Sequence, residues 1–289
     1  MNRATHPSLG DYEIVKAWEG FASIRQLSSG EIMHSRTDPM KEARELYVEQ
    51  SHLTERLREN PTSEPLVLWD VGLGAAANAS AAIECHEQAV PARPLSIFSF
   101  ENDLDPLRLA LEHEREFPYL RSASVRALLA DNRWQSEEQP GLHWRLVAGD
   151  FLQTMHSVPA PDLIFYDMFS TKTSASLWSA AAFRELFDVC AGRAAEVFTY
   201  TCSTANRAAL LAAGFFVAKG RNAGEKLETT IALTPAALDG RGAKTRDLLG
   251  CDWLARWKRS AAKVPHDISS QQVRAFEEKI TGHPQFLQS

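Results

Sequence analysis

The chain has 289 residues, 24% of them charged, and a formal net charge of −6 at pH 7. This length can bury one large α/β core with a small added element, and the acidic balance argues against a generally basic nucleic-acid-binding coat. No apolar run reaches the length of a membrane span and the N-terminus lacks a signal-peptide core, so we expect a cytoplasmic protein without membrane contact. The cysteines (Cys85, Cys190, Cys202 and Cys251) lack metal-ligand spacing, so we expect buried free thiols and no metal.

The first 60 residues predict a hairpin and a helix that pack on the core. Residues 13–33 contain β-prone segments around Ser28–Gly30, which favours a hairpin. Asp38 can then cap a helix that has Pro39 at its first position.

The organising stretch is LVLWDVGLGAAANA, residues 66–79. Its apolar start is typical of a buried strand. Gly72, Gly74 and Ala77 then fit the Gly-x-Gly-x-x-Gly/Ala pattern, in which glycines allow a tight turn and close approach of the backbone to a ligand. The next apolar run ends at Glu101, where a carboxylate can accept both hydroxyls of a ribose. A tight turn without a ligand is the alternative, and we favour a nucleoside-containing cofactor.

Strand and helix patterns alternate through residues 61–235 and end in a hairpin. They predict a Rossmann-like α/β core with a mostly parallel seven-stranded sheet and one reversed edge strand. Residues 236–289 predict a helical extension, in which Trp253 and Trp257 lie four apart and favour packing anchors over a base-stacking platform.

Four acidic residues follow or end predicted strands at one edge of this sheet: Asp70, Glu101, Asp150 and Asp167. Like charges repel, so a purely structural role gives little reason for such crowding. A cofactor with an amine, ribose hydroxyls and an adenine amino group supplies donors for three of them. S-adenosylmethionine has these groups, whereas NAD offers Asp70 and Asp150 fewer groups to bind.

Several segments carry a family resemblance: DVGLG (70–74), FENDLDPL (100–107), DMFS…LW (167–178), TYTCSTANRAALLAAGF (199–215), GEKLE (224–228) and HPQF (283–286). With them the chain resembles the class I S-adenosylmethionine-dependent methyltransferases. More narrowly, it resembles the methyltransferase domain of the MnmC family, which makes 5-methylaminomethyluridine at the tRNA wobble position. The chain departs from the family pattern at Thr171, Ser174 and Ala175, and Leu227 replaces an arginine. No segment resembles the flavin-dependent oxidase half of that family, so we expect a stand-alone methyltransferase.

The resemblance implies roles for individual residues. It implies a cofactor site at Asp70 (amine), Gly72 and Gly74 (methionine part), Glu101 (ribose), Asp150 (adenine amino group), Phe151 (adenine ring) and Gln50. It implies catalysis by Asp167 and Phe169, and acceptor contacts from Ser170, Trp178, Tyr200, Lys226 and Glu228. Because an aminomethyl group is mostly protonated at neutral pH, a carboxylate at position 167 can orient the amine and accept its proton. Its alternative role is a helix cap or loop anchor.

The implied partner is tRNA, bound through its anticodon loop. A methyltransferase for a small amine and a spermidine-synthase-like aminopropyltransferase are the enzymatic alternatives, and a nucleotide-binding scaffold is the non-catalytic one. A basic cluster near the C-terminus is either a solvated helix face or a phosphate-binding surface. It comprises Arg241, Lys244, Arg246, Arg256, Lys258, Arg259 and Lys263.

Overall fold

The structure, a computed structural model, describes residues 7–17, 19–34, 37–59, 64–190, 192–221, 228–238 and 246–287. The chain divides into two compact units, Met1–Val158 (unit 1) and Pro159–Ser289 (unit 2). The boundaries that we predict after residues 60 and 235 fall inside these units. Each unit therefore contains part of the predicted core together with one flanking segment.

Unit 1 begins with a three-stranded antiparallel sheet of β1 (Ser8–Leu9), β2 (Tyr12–Lys16) and β3 (Ala22–Gln26). An antiparallel pair thus lies where we predict one, but its two strands, β2 and β3, both come before the predicted turn at Ser28–Gly30. Gly20, between these two strands, supplies a left-handed conformation, with φ +86°. The Ser28–Gly30 turn follows β3, and across this turn Arg25 and Ile32 form an isolated antiparallel bridge.

The next segment is helical and starts at the predicted cap. The Asp38 carboxylate accepts hydrogen bonds from the amides of Met40 and Lys41, both at 3.0 Å, at the start of α1 (Pro39–Ala43). A π-helical stretch follows at Arg44–Glu49, and α2 (Leu53–Arg58) completes the segment. Short π-helical stretches are rare and are frequent at functional sites.

The remaining elements of unit 1 alternate between strands and helices. They are β4 (Leu66–Val71), α3 (Ala77–Gln88), β5 (Leu95–Glu101), α4 (Asp105–Glu112), α5 (Ser122–Asp131), β6 (Arg133–Gln135), β7 (Leu142–Ala148) and α6 (Phe151–Thr154). Strands β4, β5 and β7 are parallel neighbours in that order, and β6 pairs antiparallel with β7. All of β4 is buried, as its continuous apolar run predicts.

Unit 2 continues the alternation and then becomes helical. Its elements are β8 (Leu163–Tyr166), α7 (Ala180–Val189), β9 (Glu196–Thr199), α8 (Thr204–Ala213), β10 (Phe216–Gly220), β11 (Thr229–Leu233), α9 (Pro235–Leu238), β12 (Asp247–Leu248), α10 (Cys251–Arg259) and α11 (Val273–Thr281). The strand order is β8-β9-β11-β10-β12, with β8 and β9 parallel and the other pairs antiparallel. The Rossmann-like α/β class with a mostly parallel sheet is confirmed. The reversed strand β11 lies inside the sheet rather than at its edge, because the second strand of the hairpin pairs with β9. The short strands β6 and β12 are additional.

The C-terminal extension is anchored by aromatic side chains and one glutamine. Trp253 and Trp257 are buried and stack with centroids 6.4 Å apart, which confirms them as packing anchors. Gln285 accepts a hydrogen bond from the amide of Val217 at 2.7 Å and donates to its carbonyl at 2.8 Å. The HPQF segment is therefore tied to β10.

Two of the four cysteine predictions are wrong. Cys85 and Cys190 are buried free thiols, whereas Cys202 and Cys251 are exposed because they lie in a loop after β9 and at the first position of α10. Within the described residues, no helix is long and apolar enough to cross a membrane, and no group of three His, Cys, Asp or Glu side chains could hold a metal ion.

Candidate functional site

The glycine turn of unit 1 connects β4 to α3 through three residues with positive φ. Gly72 has φ +93°, Gly74 has φ +51° and Ala76 has φ +63°. The amide of Gly72 donates to the carbonyl of Phe100 at 3.1 Å, which fastens the turn to β5. Helix α3 then begins at Ala77 without a side-chain cap. A helix start directly after a glycine turn suits a polar ligand in the way that the motif predicts.

Glu101 at the end of β5 is joined to this turn. One carboxylate oxygen accepts a hydrogen bond from the amide of Gly74 at 3.2 Å. The other oxygen accepts from the amides of Asn102 at 2.9 Å and Asp103 at 3.1 Å. Burial raises the pKa of Glu101 above its ordinary value, while these amides act in the opposite direction. The carboxylate is thus held at the C-terminal edge of the sheet, next to the glycine turn.

Asp70 occupies a different setting from Glu101. It lies within β4 and is fully buried, and its carboxylate accepts a hydrogen bond from the Ser99 hydroxyl at 2.7 Å. The indole N–H of Trp144 donates in turn to Ser99 at 2.8 Å. Asp70 therefore belongs to a buried polar network beneath the turn rather than to the exposed rim.

Asp150 and Phe151 follow β7, one on the surface and one in the core. Asp150 is exposed and caps α6, accepting a hydrogen bond from the amide of Gln153 at 3.2 Å. Phe151 is buried and makes edge contacts with Phe100 and Trp69, at centroid distances of 5.0 and 6.1 Å. This aromatic cluster lies under the ends of β4 and β5.

Gln50 closes the π-helical stretch and is buried. Its amide nitrogen donates to the carbonyl of Leu46 at 2.9 Å. Helix α1 and the π-helical stretch both pack on α3, the helix that follows the glycine turn. The segment that carries Gln50 therefore borders the helix of the predicted cofactor turn.

The residues of unit 1 fit an adenosyl cofactor in three respects. The turn has positive φ at both motif glycines, and a Cβ at Gly74 would lie 3.2 Å from the Met33 sulfur, so a side chain there is crowded. Glu101 offers carboxylate oxygens for ribose hydroxyls. Asp150 is exposed at the end of the neighbouring strand and can accept from an amino group.

In unit 2, Asp167 and the loop that it starts make up the acceptor loop, residues 167–178. Asp167 directly follows the buried strand β8 and is half-buried, as are Phe169 and Ser170. Two aromatic side chains hold the main chain of this loop. The indole of Trp178 donates to the carbonyl of Phe169 at 2.7 Å, and the hydroxyl of Tyr200 donates to the carbonyl of Met168 at 2.9 Å.

These two aromatic side chains belong to a buried cluster. Trp178 is 1% exposed and makes edge contacts with Tyr166 at 5.2 Å and Tyr200 at 5.8 Å. The Tyr166 hydroxyl also donates to the carbonyl of Leu177 at 2.6 Å. The structure thus places Trp178 behind the acceptor loop, where it positions the loop main chain.

Ser170 forms the turn inside the acceptor loop. Its carbonyl accepts hydrogen bonds from the amides of Thr173 at 3.0 Å and Ser174 at 2.8 Å. The turn thus contains Thr171 and closes at Ser174, two positions where the family pattern has other residues.

Glu228 contacts a buried arginine, a partner that the sequence reasoning missed. The Arg207 guanidinium donates to the Glu228 carboxylate at 2.7 Å, to the carbonyl of Thr229 at 2.7 Å and to the Thr230 hydroxyl at 2.9 Å. Arg207 is 2% exposed, and TANRAALL contains it only as one cation on an apolar helix. The apolar composition of this helix was the available signal, because it predicts that the helix is buried. A buried cation on it then needs a paired anion. Lys226 lies outside the described residues.

A family model of S-adenosyl-L-methionine-dependent methyltransferases matches residues 120–235. The bifunctional protein MnmC of tRNA 5-methylaminomethyl-2-thiouridine biosynthesis from Chromobacterium violaceum is 26% identical over 218 residues, which cover 68% of this chain and 31% of that protein. The protein of the same name from Pseudomonas aeruginosa is 27% identical over 219 residues, covering 73% and 33%. The chain thus spans about a third of the length of the curated relatives that it matches.

Among solved structures, MnmC2 from Aquifex aeolicus has a TM-score of 0.69 at 20% identity, covering 96% of this chain and 87% of that one. A probable spermidine synthase from Corynebacterium glutamicum has a TM-score of 0.50 at 12% identity, covering 90% and 94%. These two likenesses show a shared fold. The sequence matches confirm the resemblance to class I methyltransferases and to the MnmC family. The predicted enzyme class and the cofactor S-adenosylmethionine are confirmed as well.

Proposed function

We propose that this S-adenosylmethionine-dependent methyltransferase of the MnmC type methylates the aminomethyl nitrogen of 5-aminomethyl-(2-thio)uridine at the tRNA wobble position. The curated relatives support this proposal, because their names refer to the biosynthesis of 5-methylaminomethyl-2-thiouridine in tRNA. The anticodon loop of tRNA is then the partner, and the cytoplasm is the compartment. A base in a single-stranded loop can leave its stack and enter a protein slot.

We assign cofactor binding to unit 1. Gly72 and Gly74 leave room for the methionine part, Glu101 accepts from the ribose hydroxyls, and Asp150 accepts from the adenine amino group beside Phe151. The buried Asp70 presents its negative charge to the methionine amine from beneath the turn, and Gln50 borders the site. When bound, S-adenosylmethionine supplies a methyl group already activated by its sulfonium.

One observation carries the assignment of the acceptor: the position of Asp167. It is the first residue after a fully buried strand, and the main chain of the next two residues is held by the hydrogen bonds from Tyr200 and Trp178. Methyl transfer is an in-line displacement in which fixed positions of the reactants supply much of the acceleration. A carboxylate on a braced loop suits this requirement.

We assign the chemical roles to three residues at the start of the acceptor loop. Asp167 accepts a proton from the acceptor ammonium, and the freed nitrogen lone pair forms the new nitrogen–carbon bond while the carbon–sulfur bond breaks. The proton leaves Asp167 for solvent. Phe169 forms a wall of the slot beside the amine, and Ser170 faces the acceptor.

The acceptor can be identified by competition. The protein is incubated with methyl-labelled S-adenosylmethionine and equal concentrations of tRNA lacking the final methyl group and of spermidine, and the tRNA is digested to nucleosides. We expect the label in 5-methylaminomethyl-(2-thio)uridine. Label in spermidine alone would replace the proposal with a small-amine methyltransferase. A parallel reaction uses decarboxylated S-adenosylmethionine labelled in its aminopropyl group, because aminopropyl transfer leaves the methyl group on methylthioadenosine. Transfer of label in that reaction alone would indicate an aminopropyltransferase.

A further inference from the structure

The C-terminal extension has a charge balance unlike that of the whole chain. Residues 246–287 contain seven Lys or Arg against five Asp or Glu, whereas the whole chain carries −6. Three of these cations, Arg256, Lys258 and Arg259, lie in the last turn of α10, and we call them the basic turn. All three side chains are exposed, and none of them has an ionic or hydrogen-bonding partner within the described part of the chain.

The basic turn is part of the larger basic cluster that the sequence contains near the C-terminus, and two other members of that cluster are already in ion pairs. Arg246 is buried and pairs with Glu196 at 2.9 Å. Lys263 pairs with Glu277 at 2.5 Å and lies over the ring of Trp257. Arg241 and Lys244 lie outside the described residues. Among the described members of the cluster, the charge available to a ligand is therefore concentrated at the end of α10.

Helix α10 holds these cations on a fixed support. Its opposite face is buried through Trp253 and Trp257, and the Trp257 indole donates to the carbonyl of Lys263 at 2.9 Å. Favourable interaction with the helix dipole accounts for cations at a C-terminus in general. The helix dipole does not explain why this basic turn lies close in the chain to a residue that binds the end of the acceptor loop.

A short stretch of chain links the basic turn to the acceptor loop. Eight residues after Arg259, the Asp267 carboxylate accepts hydrogen bonds from the amides of Ala180 and Ala181 at 3.0 and 3.1 Å. Eight residues span at most about 28 Å, and Ala180 is two residues beyond Trp178, the end of the acceptor loop. Lys172, inside that loop, is likewise exposed and has no side-chain partner among the described residues.

We propose that the basic turn and Lys172 bind backbone phosphates of the anticodon stem-loop while the wobble base lies at Asp167. This inference rests on the proposed function. Phosphates of a stem-loop flank the presented base on both sides, and exposed unpaired cations contribute affinity by releasing counterions from them. An acidic protein with a local basic surface restricts RNA binding to the orientation in which methyl transfer takes place.

The test compares two triple variants of the full chain. R256Q/K258Q/R259Q removes the basic turn. R115Q/R133Q/R145Q is the matched control, because it removes three exposed cations of unit 1 that also have no ion pair or side-chain hydrogen bond among the described residues. Binding of fluorescent tRNA lacking the final methyl group is measured between 50 and 300 mM salt. We expect the basic-turn variant to bind at least about tenfold more weakly and to lower the salt slope of log K by about 2 to 3. K172Q should lower that slope by about 1.

Kinetics separate binding from chemistry and from folding. In the basic-turn variant, KM for tRNA should rise while kcat at saturating tRNA, S-adenosylmethionine affinity and the unfolding temperature stay at wild-type values. An equal loss of tRNA affinity in the control variant, or an unchanged salt slope in the basic-turn variant, would overturn the assignment of this surface. The proposed function would still stand in that case, provided that the wild-type protein methylates tRNA. A wild-type protein that neither binds nor methylates tRNA would overturn both.

Discussion

The indole N–H of Trp178 donates to the main-chain carbonyl of Phe169 across the acceptor loop, at 2.7 Å. The bond joins the last residue of the loop to its third residue, so it closes the loop on itself. Since Trp178 is 1% exposed, its indole acts from behind the loop and fixes where Asp167 and Phe169 lie.

Replacing Trp178 by Phe keeps an aromatic ring and removes this bond. We expect kcat to fall by about tenfold or more, because small displacements of reacting groups cost that much, while S-adenosylmethionine affinity stays unchanged. Trp257→Phe is the control, since it also removes an indole bond to a carbonyl, that of Lys263 at 2.9 Å. Both variants should lose about 1–3 kcal/mol of unfolding free energy in urea. Equal effects on kcat would refute a positioning role for Trp178.

Gly74→Ala tests the glycine turn. A left-handed conformation costs a non-glycine residue about 1–2 kcal/mol, and the new methyl would also meet the Met33 sulfur at 3.2 Å. Gly30→Ala is the matched control, because Gly30 has φ +73° and open space around its Cα. We expect similar losses of stability in both variants but a tenfold or greater loss of S-adenosylmethionine affinity, about 1.4 kcal/mol, only in Gly74→Ala. Calorimetric titration measures this difference, and undiminished affinity would remove Gly74 from the cofactor site.

Glu228→Gln tests what the pair with Arg207 does. The substitution leaves a buried guanidinium without its anion, so we expect the unfolding free energy to fall by about 1–3 kcal/mol. Chemical denaturation of the variant measures this loss. If stability is unchanged and KM for the acceptor rises instead, Glu228 serves the acceptor rather than the fold.

His283 predicts a pH dependence of stability. Burial lowers its pKa from 6.5 to about 4, so the unfolded chain binds a proton more readily than the folded one between these values. Stability from this group is present above pH 6.5 and is lost as the pH falls toward 4, by about 3 kcal/mol in total. His283→Asn keeps an acceptor for the amide of Gln285, so the difference between wild type and variant in urea unfolding should shrink steadily over this interval. A constant difference would contradict the linkage.

Much of the fold follows from local pattern. The run LVLW predicts a buried strand, Asp38 before Pro39 predicts a helix start, and both lie where the pattern indicates. The place of β11 inside the sheet could not be predicted, because the hydrophobic pattern does not determine which strand of the hairpin, β10 or β11, pairs with β9.

The sequence predicts where the site residues lie relative to their strands, but it does not predict which side chains surround them. Glu101 and Asp150 end or follow their strands as expected, but the burial of Asp70 against Ser99 depends on a partner 29 residues away. The cap that Asp267 gives to α7 spans 87 residues. Such contacts arise from tertiary packing, for which the sequence has no local signal.

In the proposed mechanism, Asp167 takes the proton of the acceptor amine. Single-turnover methyl transfer to tRNA, measured for wild type and Asp167→Asn between pH 6.5 and 9.5, tests this proton transfer. We predict that the variant at neutral pH is about 10²- to 10⁴-fold slower, that its rate recovers as the amine deprotonates at high pH, and that its cofactor affinity stays within about tenfold of wild type. A variant that transfers methyl at the wild-type rate at pH 7 would show that Asp167 does not take this proton.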